Sequence, residues 1–203
     1  MKPPMAADFI TVVSGLPRSG TSLMMQMLQA GGMPVVSDGQ RAADADNPRG
    51  YLELEAVKKL KADSSWLTTA HGHAVKVISM LLYELPPSHP YRVIFMLRDL
   101  DEVLASQREM LLRRGGAADA DDGAMGRHLE THLRKLEAWL AERPNFRVLY
   151  CRYGDLLRDP ATEIGRIQNF LVCPLDERAM ALAIDPSLYR NRSGGLQTPA
   201  AGA

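Results

Sequence analysis

Short apolar runs alternate with amphipathic segments along most of the chain. Four runs rich in Val, Ile, Leu and Phe predict buried strands, at 9–13, 74–78, 92–97 and 146–150. Apolar residues at helical spacing predict helices, at 20–30, 53–61, 99–113, 128–140 and 160–171. Strands separated by helices are typical of a parallel sheet with helices on both faces. We therefore predict a three-layer α/β fold whose parallel sheet has about four or five strands.

Capping residues mark where several predicted helices begin and end. Asp99, with a glutamate three residues on, has the spacing of a capping box. The Asp-Pro pair at 159–160 fits a helix start, and two glycines at 31–32 end the first helix. The segment 34–50 is rich in Asp, Gly and Pro and predicts a long loop. Long loops in compact domains are often functional.

Composition narrows the class of protein. The length of 203 residues predicts a single domain over 1–203, with a flexible C-terminal tail from about residue 194. The charges of the 24 basic and 24 acidic residues cancel to a net charge of zero, which argues against broad electrostatic binding of nucleic acid or an anionic membrane. Two cysteines form neither a disulfide framework nor a Cys-x-x-Cys metal motif. With no apolar run of about 18 residues and no signal-peptide pattern, we predict a cytoplasmic protein.

A glycine-rich segment at 15–22, Gly-Leu-Pro-Arg-Ser-Gly-Thr-Ser, lies between the first predicted strand and helix. Such a turn directs backbone N–H groups and a helix N-terminus at a bound phosphate. The spacing matches a P-loop, but Thr21 stands where that motif has its lysine, and Arg18 is the cation within the loop. The segment therefore predicts a phosphate-type anion site and disfavours a nucleoside triphosphatase; a glycine-rich turn without a ligand is the alternative.

The segment GLPRSGTSLMMQML resembles the 5′-phosphosulfate loop of the sulfotransferase family. The resemblance implies a fold related to the P-loop nucleotide kinases and the use of 3′-phosphoadenosine 5′-phosphosulfate (PAPS). It also implies that Arg18 contacts the phosphosulfate, within a set of loop residues that bind the nucleotide: Pro17, Arg18, Ser19, Gly20, Thr21 and Ser22. Weaker likeness extends over 47–55, 74–82 and 146–160.

PAPS has a second anion, its 3′-phosphate. Arg98 ends a predicted strand, and Ser106 lies eight residues later on the next helix, as in the family's 3′-phosphate motif. Arginine suits phosphate because it offers a fixed charge and a forked set of donors. The alternative is an ion pair of Arg98 with an acidic residue at 99, 101 or 102 and a solvent-facing Ser106. Arg190 and Arg192 are further candidates for this phosphate, or else form a solvated basic turn.

The family's base, a histidine two residues after a strand lysine, has no counterpart here. Lys76 matches the lysine, but Ile78 occupies the histidine position. The resemblance to other branches of the superfamily makes Glu53 the best candidate for the base, with Glu55 second. The alternative is an exposed glutamate in a first helical turn. The histidines at 71 and 73 are weak candidates for the base. Sulfuryl transfer in this family requires no metal.

These residues predict transfer of a sulfuryl group from PAPS to a hydroxyl or amine of an acceptor that the sequence does not identify. Arg18 and Lys76 would steady the phosphosulfate, and Glu53 would act as the base. The alternatives are a P-loop small-molecule kinase that uses ATP and Mg²⁺, and a non-catalytic nucleotide-binding module. Trp66 and Tyr51 are weak candidates for an acceptor pocket. The sequence gives no indication of the oligomeric state.

Overall fold

The computed structural model describes residues 8–44, 47, 49–113, 115 and 122–185. The strands of the described part are β1 (Ile10–Gly15), β2 (Ala74–Lys76), β3 (Tyr91–Leu97) and β4 (Phe146–Arg152). The α-helices of the described part are α1 (Thr21–Ala30), α2 (Leu100–Arg113), α3 (Asp122–Ala141), α4 (Tyr153–Arg158), α5 (Pro160–Leu171) and α6 (Glu177–Leu182). Short 3₁₀-helices span Glu55–Lys59, Ser65–Thr69 and Ser79–Glu84.

The strands form one parallel sheet in the order β2-β1-β3-β4. Val12 of β1 lies between Val75 of β2 and Val93 of β3. Because all four strands are parallel, their carboxyl ends meet at one edge, where open α/β sheets bind ligands. The predicted three-layer α/β fold is confirmed.

Side chains alternate along the strands and divide the core between two faces of the sheet. Val13 contributes to a core with α1, α4, α5 and α6, in which Met24, Met27 and Ile164 are buried. Val12 contributes to the opposite core, which α3 and the 3₁₀-helices cover. The Lys76 side chain leaves β2 on the face of the sheet that α1 covers, because Lys76 lies two residues after Ala74, a member of the first core.

The caps predicted at Asp99 and Asp159 are present, whereas the short helices α4 and α6 were not predicted from the sequence. The Asp99 carboxylate accepts from the N–H groups of the first turn of α2, and the Asp159 carboxylate accepts from Thr162 N at 3.2 Å at the start of α5. The predicted helix at 53–61 is a 3₁₀-helix over Glu55–Lys59, which begins after the extended Leu54. Helices of five or six residues, such as α4 and α6, are too short to show a periodic pattern.

No helix in the described part of the chain is long and apolar enough to cross a membrane.

A tight backbone approach makes Gly20, at the start of α1, sensitive to substitution. Its φ is +101°, and an added Cβ would lie 2.4 Å from the Tyr153 ring. Gly39 also has a positive φ, +66°, but has open space around it. We expect Gly20→Ala to lower the free energy of unfolding by about 2–4 kcal/mol and Gly39→Ala by about 1 kcal/mol, measured by urea denaturation. Equal losses would show that the contact with Tyr153 does not matter.

Candidate functional site

The loop between β1 and α1 has the geometry of an anion cradle. Ser19 N donates to Leu16 O at 3.1 Å and closes a tight turn. Arg18 has a φ of 73° and Gly20 a φ of 101°, so the backbone passes through left-handed conformations just before the helix. The N–H groups of the first turn of α1 have no acceptor within the helix and carry a partial positive charge. This end of α1 can therefore hold a phosphate or sulfate group.

Arg18 connects this loop to helix α2. Its Nε donates to Ser106 Oγ at 2.9 Å, and Ser106 is buried. Arg98 Nη1 donates to the carbonyl oxygen of Arg18 at 3.0 Å. The sequence suggested two separate anion pockets, one in the loop and one at Arg98 and Ser106. The structure places these residues side by side, since the Arg18 guanidinium reaches from the loop to Ser106.

Arg98 forms an ion pair with Glu102, one of the three acidic partners that the sequence offered as the alternative to a phosphate. Its Nε donates to Glu102 Oε2 at 2.8 Å, and both side chains are largely buried. The Tyr153 ring lies on another side of the guanidinium, with its centroid 4.9 Å from Cζ. Five donors allow an arginine to hold a carboxylate and a phosphate at once. The ion pair with Glu102 therefore fixes the orientation of Arg98.

Lys76, at the carboxyl end of β2, lies beneath the loop. Its ammonium donates to Ser22 Oγ at 2.9 Å and to the carbonyl oxygen of Tyr51, and lies 3.4 Å from Glu53 Oε1. The side chain is only 3% exposed. Burial lowers the pKa of Lys76 to about 8, against the opposing effect of the Glu53 carboxylate. A lysine therefore stands near the anion cradle although the P-loop lysine position holds threonine.

The long loop after α1 folds back over the carboxyl edge of the sheet. Gln26 of α1 donates to Asn47 Oδ1 at 3.2 Å and to the carbonyl oxygen of Gly50 at 2.9 Å. Tyr51 OH donates to Asp44 Oδ1 at 2.7 Å. These bonds fix the loop against the helix that follows the anion cradle. They bring its last residues, including Glu53, to the site.

The Glu53 carboxylate lies between two cations. Arg41 Nη1 donates to both of its oxygens at 3.0 Å, and Lys76 approaches Oε1. The Arg41 guanidinium also stacks over Tyr51, with Cζ 3.4 Å from the ring centroid. The Glu53 side chain is 30% exposed and lines a cavity. Glu55 also lines the cavity, but its exposed side chain pairs with Lys58 at 2.8 Å.

A cavity of about 610 Å³ joins these groups. Most of the residues predicted from the sequence line it, namely Pro17, Arg18, Gly20, Thr21, Ser22, Glu53, Lys76 and Arg98. Ser19 of the loop is buried, and so is Ser106 of α2, which bonds to Arg18. Arg190 and Arg192 lie outside the described residues.

Sequence analysis missed several residues of the site. Arg41 and Gln26 line the cavity and hold the long loop, and the Tyr153 ring packs on Arg98. Arg41 lies 12 residues before Glu53 in a segment without periodicity, so no sequence signal joins the two. Glu102, in contrast, is one of the three acidic partners that sequence analysis names for Arg98, and it lies four residues after Arg98 in the first turn of α2.

Three of the weaker sequence candidates, His71, His73 and Trp66, lie away from this cavity, whereas Tyr51 lines it. His71 and His73 precede β2, at the end of the strand opposite to Lys76, and His71 Nε2 is 2.9 Å from His89 Nδ1. Trp66 packs against the core on the α3 side of the sheet. Within the described ranges, no group of three or more His, Cys, Asp or Glu side chains could hold a metal ion.

The buried lysine makes stability depend on pH in a defined direction. Its folded pKa of about 8 is below the ordinary 10.5, so the folded protein binds fewer protons than the unfolded chain between these values. The contribution of Lys76 to stability therefore rises from pH 8 to pH 10.5. We expect the free energy of unfolding of the wild type, relative to Lys76→Met, to increase by more than about 1 kcal/mol across this window.

Urea denaturation of both proteins at the two ends of the window measures this difference. Lys59→Met, which changes an exposed lysine, serves as the control and is expected to show no such trend. A flat difference for Lys76→Met would contradict the burial of this ammonium.

Comparison with known proteins identifies a family that this chain matches. The family model described as the sulfotransferase domain matches residues 10–194. A comparison with curated protein sequences found no match. The solved sulfotransferase domain of the Synechococcus PCC 7002 olefin synthase is 15% identical, with a TM-score of 0.55 over 91% of this chain and 80% of that one. At this identity the likeness shows the fold.

Two other solved structures are also similar. The sulfotransferase domain from the curacin biosynthetic pathway is 15% identical, with a TM-score of 0.49 over 92% of this chain and 78% of that one. A retinol dehydratase, solved in complex with androsterone and the inactive cofactor PAP, is 19% identical, with a TM-score of 0.45 over 87% of this chain and 63% of that one. The match of the family model over most of the chain confirms the resemblance seen in the sequence: this chain belongs to the sulfotransferase domain family.

Proposed function

We propose that this chain transfers a sulfuryl group from PAPS to a hydroxyl or amine of an acceptor and releases adenosine 3′,5′-bisphosphate. The observation that carries the proposal is the position of Lys76, whose ammonium lies 2.9 Å from Ser22 Oγ and 3.4 Å from Glu53 Oε1. A cation and a carboxylate thus meet beside a phosphate-binding loop. Sulfuryl transfer needs both, since negative charge develops on the leaving oxygen while the acceptor loses a proton.

The donors around the loop fit the 5′ end of such a nucleotide. Bound PAPS would supply a sulfuryl group, whose bond to the 5′-phosphate oxygen breaks as the acceptor atom bonds to sulfur. The first turn of α1, with the hydroxyls of Thr21 and Ser22, would hold the phosphate, and Arg18 and Lys76 would balance its charge. The turn leaves no space for side chains at Gly15, where an added Cβ would lie 2.4 Å from Ser19 Oγ.

Arg98 and Ser106 would hold the 3′-phosphate. Glu102 and the Tyr153 ring fix the guanidinium, and Arg98 in turn donates to the carbonyl oxygen of Arg18. Arg98 therefore links the two proposed anion sites, because it supports the backbone of the loop and would also bind the 3′-phosphate. Arg190 and Arg192 are further candidates for cations that bind this phosphate.

Glu53 is the proposed base. Its carboxylate is partly exposed to the cavity and is held by Arg41 and Lys76. It would accept the proton of the acceptor as the new bond to sulfur forms, while Lys76 stabilises the charge on the leaving oxygen. Ile78, in the position of the family's histidine, lines the same cavity but has no proton acceptor.

The proposal predicts a preference for a nucleotide with two separate phosphates. We expect adenosine 3′,5′-bisphosphate to bind at least about tenfold more tightly than AMP, since one charge-assisted contact is typically worth 1.5–3 kcal/mol. Arg98→Ala should remove most of this preference. A double variant, Arg98→Ala with Glu102→Gln, avoids a buried unpaired carboxylate, and Arg147→Ala changes an exposed arginine of β4 as the control.

Isothermal titration calorimetry with the two nucleotides and with Mg-ATP measures these affinities. Equal affinity for adenosine 3′,5′-bisphosphate and AMP in the wild type would refute the second phosphate site. Tight binding of Mg-ATP together with its Mg²⁺-dependent hydrolysis would favour the kinase alternative. Nucleotide binding without transfer to any acceptor would favour the non-catalytic module.

The assignment of the base is tested by a matched pair of variants. Glu53→Gln keeps the shape of the side chain and removes its basicity, so turnover should fall by at least about 100-fold while nucleotide affinity stays the same. Glu55 lies two residues away and also lines the cavity, but it is paired with Lys58, so Glu55→Gln should leave turnover unchanged. Turnover is measured as sulfuryl transfer from PAPS. Full activity in Glu53→Gln, or its loss in Glu55→Gln alone, would show that Glu53 is not the base.

A further inference from the structure

The strand β4 forms one edge of the sheet and is uncovered there. The other edge strand, β2, is covered by residues 34–36, since Ala74 N donates to Pro34 O and Val36 N donates to Ala74 O, both at 2.8 Å. Within the described part of the chain, no segment pairs with β4 on its outer side. A seven-residue edge without a neighbour is a template for pairing with another strand.

Alternate residues of β4 direct their backbone groups outward. Tyr91 N of β3 donates to Asn145 O at 2.8 Å, so Asn145 faces β3, and the register continues with Tyr91 opposite Phe146. The backbone N–H and C=O groups of successive strand residues point to opposite sides, so every second residue from Asn145 also faces β3. The residues of the strand interior that face outward are Phe146, Val148 and Tyr150.

Two of the outward groups are already bonded within the chain. Phe146 N donates to Arg143 O at 3.1 Å, at the turn before the strand. Tyr150 O accepts from Arg166 Nη2 of α5 at 3.2 Å. Four groups make no bond to any described residue, namely Phe146 O, Val148 N, Val148 O and Tyr150 N. These two donors and two acceptors are arranged symmetrically about Val148.

The pattern of these groups is complementary to itself. If two β4 strands run antiparallel about a two-fold axis at Val148, each Val148 N donates to the Val148 O of the other copy. Each Tyr150 N then donates to the Phe146 O of the other copy, so all four groups of both strands are bonded. The groups that are already engaged, Phe146 N and Tyr150 O, lie opposite each other and leave nothing unpaired.

An unrelated strand fits this edge less well. Opposite Phe146 and Tyr150 it would place a carbonyl and an N–H group whose partners on β4 are already bonded to Arg143 and Arg166. Leaving such groups unpaired in an interface costs free energy. A second copy of the chain avoids this cost, because the same two groups are engaged in it as well.

The side chains of the two strands also match in this register. Phe146, Val148 and Tyr150 belong to the core on the α3 side of the sheet, and Val148 and Tyr150 are only partly buried. In the pair, Phe146 would face Tyr150 of the other copy, and the two Val148 side chains would meet. Aromatic pairs and pairs of β-branched residues across strands stabilise a sheet.

Charge favours the same register. Arg147 is exposed on the opposite face of β4. With the two-fold axis at Val148, it lies opposite Leu149 of the other copy, whereas an axis at Arg147 would bring two guanidinium groups together. Like charges directly opposite each other destabilise a pair of strands.

We infer that the protein forms a two-fold symmetric dimer in which the β4 edges pair antiparallel, so that the four strands of each copy join into one sheet of eight. Such a contact closes on itself and leaves the β4 edge of neither copy free. The inference goes beyond the proposed function. Among the described residues, none of β4 lines the cavity of the candidate site, so each copy keeps its own site.

Sedimentation equilibrium of the wild type tests the dimer, at concentrations up to about 0.5 mM so that weak association is also detected. The expected mass is twice that of one chain. Val148→Asp and Val148→Lys should each weaken association at least about tenfold, because equal charges then face each other. Leu182→Asp, which changes an exposed residue of α6, is the control and should leave association unchanged. Circular dichroism checks that each variant is folded.

Mixing the two Val148 variants tests the register. The mixture should associate again, because opposite charges meet only when residue 148 of one copy faces residue 148 of the other. Hydrogen exchange of the wild type needs no variant: the Val148 and Tyr150 amides should be protected at least about tenfold more at high than at low protein concentration. A monomeric wild type, amide protection that does not depend on concentration, association that Val148→Asp leaves unchanged, or a mixture that stays monomeric overturns the inference.

Discussion

The candidate site depends on one buried ammonium. Lys76 ends the edge strand β2 and bonds to Ser22 at the start of α1 and to the carbonyl oxygen of Tyr51 in the long loop, with Glu53 close by. Burial lowers its pKa to about 8, so the fold holds this charge at a cost in hydration. The three contacts offset part of that cost. They also bring three segments that are distant in sequence to one point beside the anion cradle.

A second set of charges, on the α2 side, fixes the other half of the cavity. Glu102 and Tyr153 orient Arg98, and Arg98 supports the backbone of Arg18, whose side chain reaches Ser106. A bound anion would therefore meet donors that are already in place, which reduces the cost of ordering them on binding. In the proposed reaction, this preorganisation serves both phosphates, while Glu53 faces the acceptor.

Local patterns were enough to predict the fold and the cradle, because their causes are local. The strand, glycine turn and helix at β1 and α1 are contiguous, and the caps at Asp99 and Asp159 are formed within one helical turn. The long-range bonds were beyond sequence analysis. Arg41 meets Glu53 across 12 residues of irregular loop, and Arg18 meets Ser106 across 88 residues, so neither pair leaves a periodic signal.

The most direct test of the central claim is a crystal structure of the protein with adenosine 3′,5′-bisphosphate. The account predicts the 5′-phosphate at the first turn of α1, within hydrogen-bond reach of Lys76, and the 3′-phosphate on Arg98 and Ser106. It also predicts the Glu53 carboxylate next to the free face of the 5′-phosphate, where a sulfuryl group would be attached. A nucleotide bound elsewhere, or a Glu53 carboxylate more than about 10 Å from that face, could not provide the contact that a base needs and would contradict the account.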